Sequence, residues 1–396
     1  MTSTFTEGAR PDDARRHNRA AVLRRLHVEG PCTRAVLAAD LGLNRSTIKA
    51  VVDGLADSGM VSERLPAKRS GAGRPSLLVL PNPGAASVLA VDIKVDRVAM
   101  GVVGLGGEIL GRLGWRIPRG VARPSDVMVK IVDSAALLIG EVGTSVAAAG
   151  VSVAGVVRRP DGVVREAPHL KWVDVPLGER LGAALGIPVV VANDAELGAV
   201  AEQTRGVARG AANVVFVECD IGVGGGVISD GATLRGADGY LGELGHMVVR
   251  PDGHACHCGR RGCWETEVGT PALCRALAIA EDAPRGELIS VLRDLASSPG
   301  AAVETLAEFS SWLTLGLINL INLLAPELVV LGDPLGSLPE SVLDEVSRQV
   351  RRDSMVSRAV GGVTVVRSAL GRDAQLIGAA EMAFAPILDD TLTSDR

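Results

Sequence analysis

Aromatic residues are scarce in this chain of 396: four Trp, four Phe and one Tyr, 2% in all. A core with so few rings has to be aliphatic, built from Val, Leu, Ala and Ile within a 47% hydrophobic fraction. An apolar leader is also missing. The opening MTSTFTEGARPDDARR is polar, which excludes a signal peptide on this stretch. No uninterrupted membrane span is present. The most apolar run, Trp312 to Asp333, is broken by Asn319, Asn322 and Pro326, and it reads as a helix that ends where a strand begins. The C-x-x-C redox pattern is absent as well. Together these point to a cytoplasmic chain with reduced thiols and no membrane partner.

What the chain has in quantity is glycine, with 48 residues, and an uneven charge. The net charge is −5, yet residues 1–80 carry 13 Lys+Arg against 8 Asp+Glu. A basic front on an acidic body suggests that the front meets a polyanion. The length suggests two to four domains.

The front reads as three helices followed by a hairpin. Apolar Ala20, Val22, Leu23, Leu26 and Val28 share one helix that Gly30 and Pro31 stop. Thr33 can cap a short helix through Leu41, Gly42 supplies a turn, and Asn44 or Ser46 can cap a second helix to about Asp57. Small Ala38 allows a close crossing, and Ile48, Val51, Val52 and Leu55 recur on one inward face. This is helix-turn-helix spacing. Two short strands around the basic, Gly-rich GMVSERLPAKRSGAGRPSLLVL then form a wing with Lys68, Arg69 and Arg74, a segment narrow enough for a minor groove. The DNA-facing set is Thr33, Arg34, Asn44, Arg45, Ser46, Thr47, Lys49, Arg69 and Arg74, with Arg and Asn suited to base edges and Ser, Thr and Lys to phosphates. The alternative is a small dimerisation module with a solvated basic face. Agreement of turn, helix, wing and charge favours operator DNA as partner.

After a linker at residues 81–87, strands and helices alternate through an α/β body of two comparable βββαβα halves, each opening on a Gly-rich hairpin. The first lobe is expected at 88–195, with a C-terminal helix at 374–396 packing back on it, and the second at 196–373. Within the second, Cys256, Cys258 and Cys263 form C-x-C-x4-C. Cys-x-Cys closes a disulfide poorly, whereas thiolates favour zinc, and a structural zinc site wants four ligands. His246, His254 and His257 are all near enough to be the fourth. Cys32, Cys219 and Cys274 are isolated and read as packing residues. Asn193 and Asp194 follow the buried strand PVVVA, at the carboxyl end where α/β sheets bind ligands, although the pair taken alone reads more readily as a cap of the next helix.

GYLGELGHM (Gly239 to Met247) and CHCGRRGCWE (Cys256 to Glu265) resemble the two signature segments of the ROK family of bacterial sugar kinases and repressors, and ANDAELGA and APHLKWVDVPL resemble its strand-end pair and sugar-side loop. With the front end included, the likeness covers nearly the whole chain and is nearest to the xylose-repressor and N-acetylglucosamine-repressor branch. The resemblance implies a winged helix-turn-helix followed by a two-lobed actin-like ATPase/sugar-kinase (ribonuclease H-like) fold. It implies His246 as fourth ligand of a structural Zn2+ with Cys256, Cys258 and Cys263, and a sugar pocket of Asn193, Asp194, Glu243, His246 and Glu265. His169 stands where the family has Asn, which alters reach and hydrogen-bond pattern.

The same likeness identifies Asp194 with the kinase base, yet the ATP half departs from it. Family kinases open with Asp-x-Gly-Gly-Thr, and here Asp92 is followed by Lys94 and Val95 in place of the glycines. The second phosphate loop carries Asp220 and Ile221, and Asp333 and Pro334 follow Gly332 late in the chain. Phosphoryl transfer needs a phosphate cradle. These losses lead us to expect no catalytic residue and a sugar-responsive repressor of carbohydrate genes, a homodimer or dimer of dimers on paired half-sites. An active ATP-dependent sugar kinase with an added DNA-binding head is the alternative.

Overall fold

The structure is a computed structural model and describes residues 11–65, 76–159 and 161–389. The wing residues Lys68, Arg69 and Arg74 lie outside the described residues.

The head consists of helices Pro11–Glu29, Arg34–Leu41 and Arg45–Asp57 and a three-stranded sheet in the order Cys32–Thr33, Leu78–Pro81, Val61–Arg64. Its helices start where their caps dictate. Thr33 accepts from the Val36 N–H and Asn44 from the Thr47 N–H, each meeting a donor that the helix leaves open. Gly42 closes the middle helix in the left-handed region at φ 63°, which a side chain resists. Val22, Leu26, Leu37, Ile48, Val52 and Leu55 bury the inner faces. The first helix begins at Pro11 rather than near Arg16, and the short Cys32–Thr33 strand had no signature in the sequence because two residues carry no periodicity.

Two five-stranded sheets of identical topology build the body, with a small three-stranded sheet in the order Trp172–Val175, Val163–Ala167, Val156–Arg158 beside them. The first runs Val189–Asn193, Ala149–Val153, Ser87–Ile93, Arg97–Gly104, Ile109–Arg116. The second runs Ala232–Thr233, Val223–Ser229, Val214–Cys219, Leu328–Leu331, Thr364–Arg367 in mirrored listing. In each, three antiparallel strands come first and two parallel strands follow on the other side of the opening strand. This is the duplicated, actin-like sugar-kinase architecture. The apolar helix Ala307–Leu324 is long and apolar enough to cross a membrane, but it packs Phe309, Leu313, Leu317, Leu320 and Ile321 into the second lobe's core.

The C-terminal helix, Ala374–Asp389, joins everything. Glycines let it approach closely: a Cβ at Gly150 would sit 1.9 Å from the Ala379 carbonyl oxygen, and one at Gly378 would sit 2.0 Å from that of Leu197. The helix thereby lies against both the first sheet and the helix Asp194–Arg205. Its outer end, with Phe384, Ile387 and Leu388, shares one apolar cluster with the head. A buried polar joint reinforces this contact. His27 Nε2 lies 3.1 Å from Glu381, His27 Nδ1 accepts from the Gly106 N–H, and Arg205 donates to the other Glu381 oxygen at 2.8 Å.

Candidate metal and ligand site

Four donor atoms converge beside the second lobe. His246 Nδ1 and the sulfurs of Cys256, Cys258 and Cys263 all lie within 4.8 Å of one another. Cys258 and Cys263 are 3.6 Å apart sulfur to sulfur, and Cys256 Sγ is 3.6 Å from His246 Nδ1. A tetrahedron with ordinary zinc bond lengths has S–S edges of about 3.8 Å and S–N edges of about 3.6 Å. The donor set and its spacing therefore fit a zinc-like ion. The local fold explains the convergence. Short antiparallel bridges pair Val248 with Cys263 and Ala255 with Arg261, and Gly262, at φ 67°, lies so close to the Arg250 carbonyl that no side chain fits. The Cys258 N–H points at Cys256 Sγ at 3.5 Å, and the backbone N–H of Arg260 helps bring the exposed Cys258 thiol down to about 7. Burial and the Glu265 carboxylate instead push the Cys256 thiol up. Of the three histidines that spacing left open, the structure brings His246 to all three sulfurs. His257 joins a second group with His246 and Glu265.

His246 faces two ways. Nδ1 addresses the cysteines, and Nε2 lies 3.5 Å from Glu243, the kind of outer partner that fixes a ligand ring's tautomer. The loop then runs into the helix Trp264–Val268, which begins immediately after Cys263 and carries Glu265. Glu265 Oε1 accepts from Cys256 at 2.9 Å and lies 3.1 Å from His257 Nδ1. Its other oxygen and His169 Nε2 both lie against Gly222. His169 sits between the strands Val163–Ala167 and Trp172–Val175, its ring 5.2 Å from that of His257. Burial and His257 hold its pKa below the ordinary value, and Nε2 is buried with no hydrogen-bond partner. Such an orphan is costly unless a ligand meets it. Glu243 lines the same cleft, where desolvation and the charges of Asp194 and Glu265 push it up to about 6.

Asp194 is buried and Asn193 precedes it at the strand end, as expected. Asn193 also takes the capping role: its Oδ1 accepts from the N–H groups of Ala195 and Glu196, and its Nδ2 donates to the Gly155 carbonyl. One amide hydrogen is left for a ligand. Asp194 accepts from Lys94 at 2.8 Å, a contact the sequence gave no way to foresee. On the far side of the cleft a cavity of about 1470 Å³ is lined by Arg97, Arg112, Arg116, Arg119, Arg285 and Arg372.

In the head, Arg45 and Ser46 are exposed at the start of the helix Arg45–Asp57, with Thr47 half-buried. Lys49 is exposed and pairs with Asp53. Thr33 and Asn44 spend their side-chain oxygens on caps. Arg34 is half-buried and grips Glu63 and Asp53, tying both the Arg45 helix and the strand Val61–Arg64 to its own helix.

A helix-turn-helix head on a duplicated sugar-kinase body, with four donors placed where they could hold a metal ion, defines a class of two-part proteins. Residues 88–385 match the ROK family, and the chain belongs to it. It is 32% identical over 314 residues to a glucokinase of Streptomyces coelicolor, a match that covers 75% of this chain and 98% of that one. It is 27% identical over 373 residues to the xylose repressor of Bacillus subtilis, covering 94% and 96%. Among solved structures, a ROK family transcriptional regulator, homolog of the E. coli MLC protein, aligns at TM-score 0.74 and 23% identity over 95% of this chain and 97% of that one. A ROK family glucokinase from Streptomyces griseus, in complex with glucose and AMPPNP, aligns at TM-score 0.64 and 30% identity over 75% and 99%.

Proposed function

We propose that this chain is a sugar-responsive, DNA-binding transcription regulator, a repressor of carbohydrate uptake or metabolism genes whose ligand changes operator affinity. The observation that carries this reading is the head. The family match covers residues 88–385 and leaves the head out, whereas the xylose repressor match covers 94% of the chain, too much to omit a segment of that length. The helix Arg45–Asp57 offers Arg45 and Ser46 to the major groove, and Arg69 and Arg74 in the wing are assigned to the minor groove.

The ligand is a sugar or sugar derivative, taken between the lobes by Glu243, Glu265, His169, Asp194, the last amide hydrogen of Asn193 and His246 Nε2. The orphaned His169 nitrogen supports a ligand that brings a hydroxyl to that spot. His246 Nδ1 and the three cysteines hold Zn2+, whose role is to fix the loop that carries Glu243, His246 and Glu265. The chain acts in the cytoplasm as a homodimer or dimer of dimers. Ligand closes the cleft, and the C-terminal helix, joined to the head at Glu381, carries the change. A ligand does this only by binding the two states unequally. The test is an operator-binding titration with and without a panel of sugars, amino sugars and sugar phosphates. Operator affinity that no member changes refutes the sensing role.

One observation favours a second reading, an active sugar kinase with a DNA-binding head in which Asp194 would be the base: the glucokinase match is at 32% identity. Against it, Asp333 is engaged by Arg285 in the nucleotide half. Incubation with ATP, magnesium and the same sugars decides the matter, since sugar-dependent ADP release would establish the kinase.

A further inference from the structure

At the base of the cleft the first loop places Lys94, directly after the strand Ser87–Ile93 of the first lobe. Its side chain is 2% exposed, one of the largest fully buried side chains in the molecule. Nζ donates to Asp194 at 2.8 Å and to Glu218 at 3.0 Å. Asp194 opens the helix that follows the first lobe's last strand, and Glu218 lies on Val214–Cys219, the opening strand of the second sheet. Asp92 and Asp220 add further negative charge around the ammonium. Asp92 accepts from the Ser152 hydroxyl at 2.8 Å and has Arg97 at 3.7 Å.

Carboxylates gathered in a buried place need a counter-charge. In phosphoryl-transfer enzymes that counter-charge is a hard divalent ion on oxygen ligands, at about 2.0–2.1 Å for magnesium. Here a cation already occupies the spot, carried on a four-carbon stem. We propose that Lys94 is a tethered cation standing in place of a divalent ion among Asp92, Asp194 and Glu218, and that the same ammonium latches the two lobes together. The residues present therefore do not fit magnesium: the ammonium is in the way, and its removal would create the site. One feature of the cluster agrees. Glu218 Oε2 is buried without a partner, as expected where a single positive charge serves carboxylates that a divalent ion would satisfy more fully. Burial, against the pull of Lys94, pushes Glu218 up to about 7.

The test uses the full-length, metal-loaded chain and reads melting temperature and calorimetric binding with magnesium or calcium alone. The native chain shows no response to either ion. Lys94→Ala lowers the melting temperature by on the order of 10 °C, and either ion restores a large part of the loss. Lys94→Met fills the same space without charge, so it shows the loss and no restoration. Adding Glu218→Gln to Lys94→Ala removes one unpaired acid, so the double variant is more stable than Lys94→Ala and no longer answers to the ions; this comparison stands even where the single variant folds poorly. Magnesium binding by the native chain, an unchanged melting temperature in Lys94→Ala, or a double variant no more stable than the single one overturns the proposal. None of these readouts involves sugar or operator, so failure here leaves the sensing function to its own test.

Discussion

Cys263→Ser tests the proposed link between the four-donor cluster and the sugar pocket. Cys263 is fully buried, supplies one of the four donors, and immediately precedes the helix that carries Glu265. Serine keeps the size and removes the thiolate. Loss of even an outer partner of a metal ligand weakens affinity by about 10–100-fold, so loss of a ligand itself costs at least the upper figure. For a site loaded well above its dissociation constant, each hundredfold is about 2.7 kcal/mol of metal-linked stability. At roughly 2–4 °C per kcal/mol for a unit of about 150–250 residues, the size of one lobe, the melting transition of that lobe falls by about 5–10 °C. Metal content by mass spectrometry of the purified protein should drop from one zinc per chain to a small fraction, and the sugar-induced change in operator affinity should vanish with it. Operator binding without sugar should persist, because the head's apolar residues Val22, Leu26, Leu37, Ile48 and Leu55 pack with one another and with the C-terminal helix, in a cluster that contains none of the four donors. A variant that keeps a full zinc complement refutes the ligand assignment. One that loses zinc yet keeps its sugar response refutes the role given to the loop.

Glu381→Gln at the head–body joint leaves the Arg205 guanidinium and His27 without their shared acid, and should cost about 3 kcal/mol of stability, read by chemical unfolding. Burial pushes the Glu381 carboxyl up, but His27 and Arg205 outweigh it and hold the group below its ordinary value. Its contribution is therefore complete above the ordinary carboxylate range and lost as pH falls through the lower folded value, so the gap between native and variant stability should close only in acid. Arg45→Ala should weaken operator binding by about 1–3 kcal/mol and relax sequence preference at one position, measured by titration on a set of substituted sites. Arg34→Ala should instead lower the stability of the head by about 1 kcal/mol, since its half-buried guanidinium holds Asp53 and Glu63; a change in base preference with unchanged stability would show that it faces DNA.

The head was legible because each of its signals is local. A cap, a left-handed glycine and an apolar stripe all act within one turn of chain, and Thr33, Gly42 and Asn44 fall where their chemistry requires. The three cysteines of the cluster were legible for the same reason, but spacing left the fourth donor open among His246, His254 and His257, and only the fold brings His246 to all three sulfurs. Asn193 illustrates the limit: capping and ligand binding draw on the same amide at the same position, and only the three hydrogen bonds it makes show how much of it capping consumes. Arg34 is a second case. A basic residue on a helix beside a turn looks like a phosphate contact, and its two acids lie 19 and 29 residues away in sequence.

The duplicated α/β order, the helix-turn-helix of the head and the three clustered cysteines could be read from short stretches of chain, because periodicity, turn chemistry and residue type are local properties. Which acids meet the buried Lys94 ammonium follows only from the packing of the two lobes. Lys94 meets Asp194 and Glu218 across 100 and 124 residues, and His27 meets Glu381 across 354. Such pairs depend on how two lobes and a C-terminal helix close on one another, and a buried charge acquires its meaning only from the counter-charge that packing brings to it.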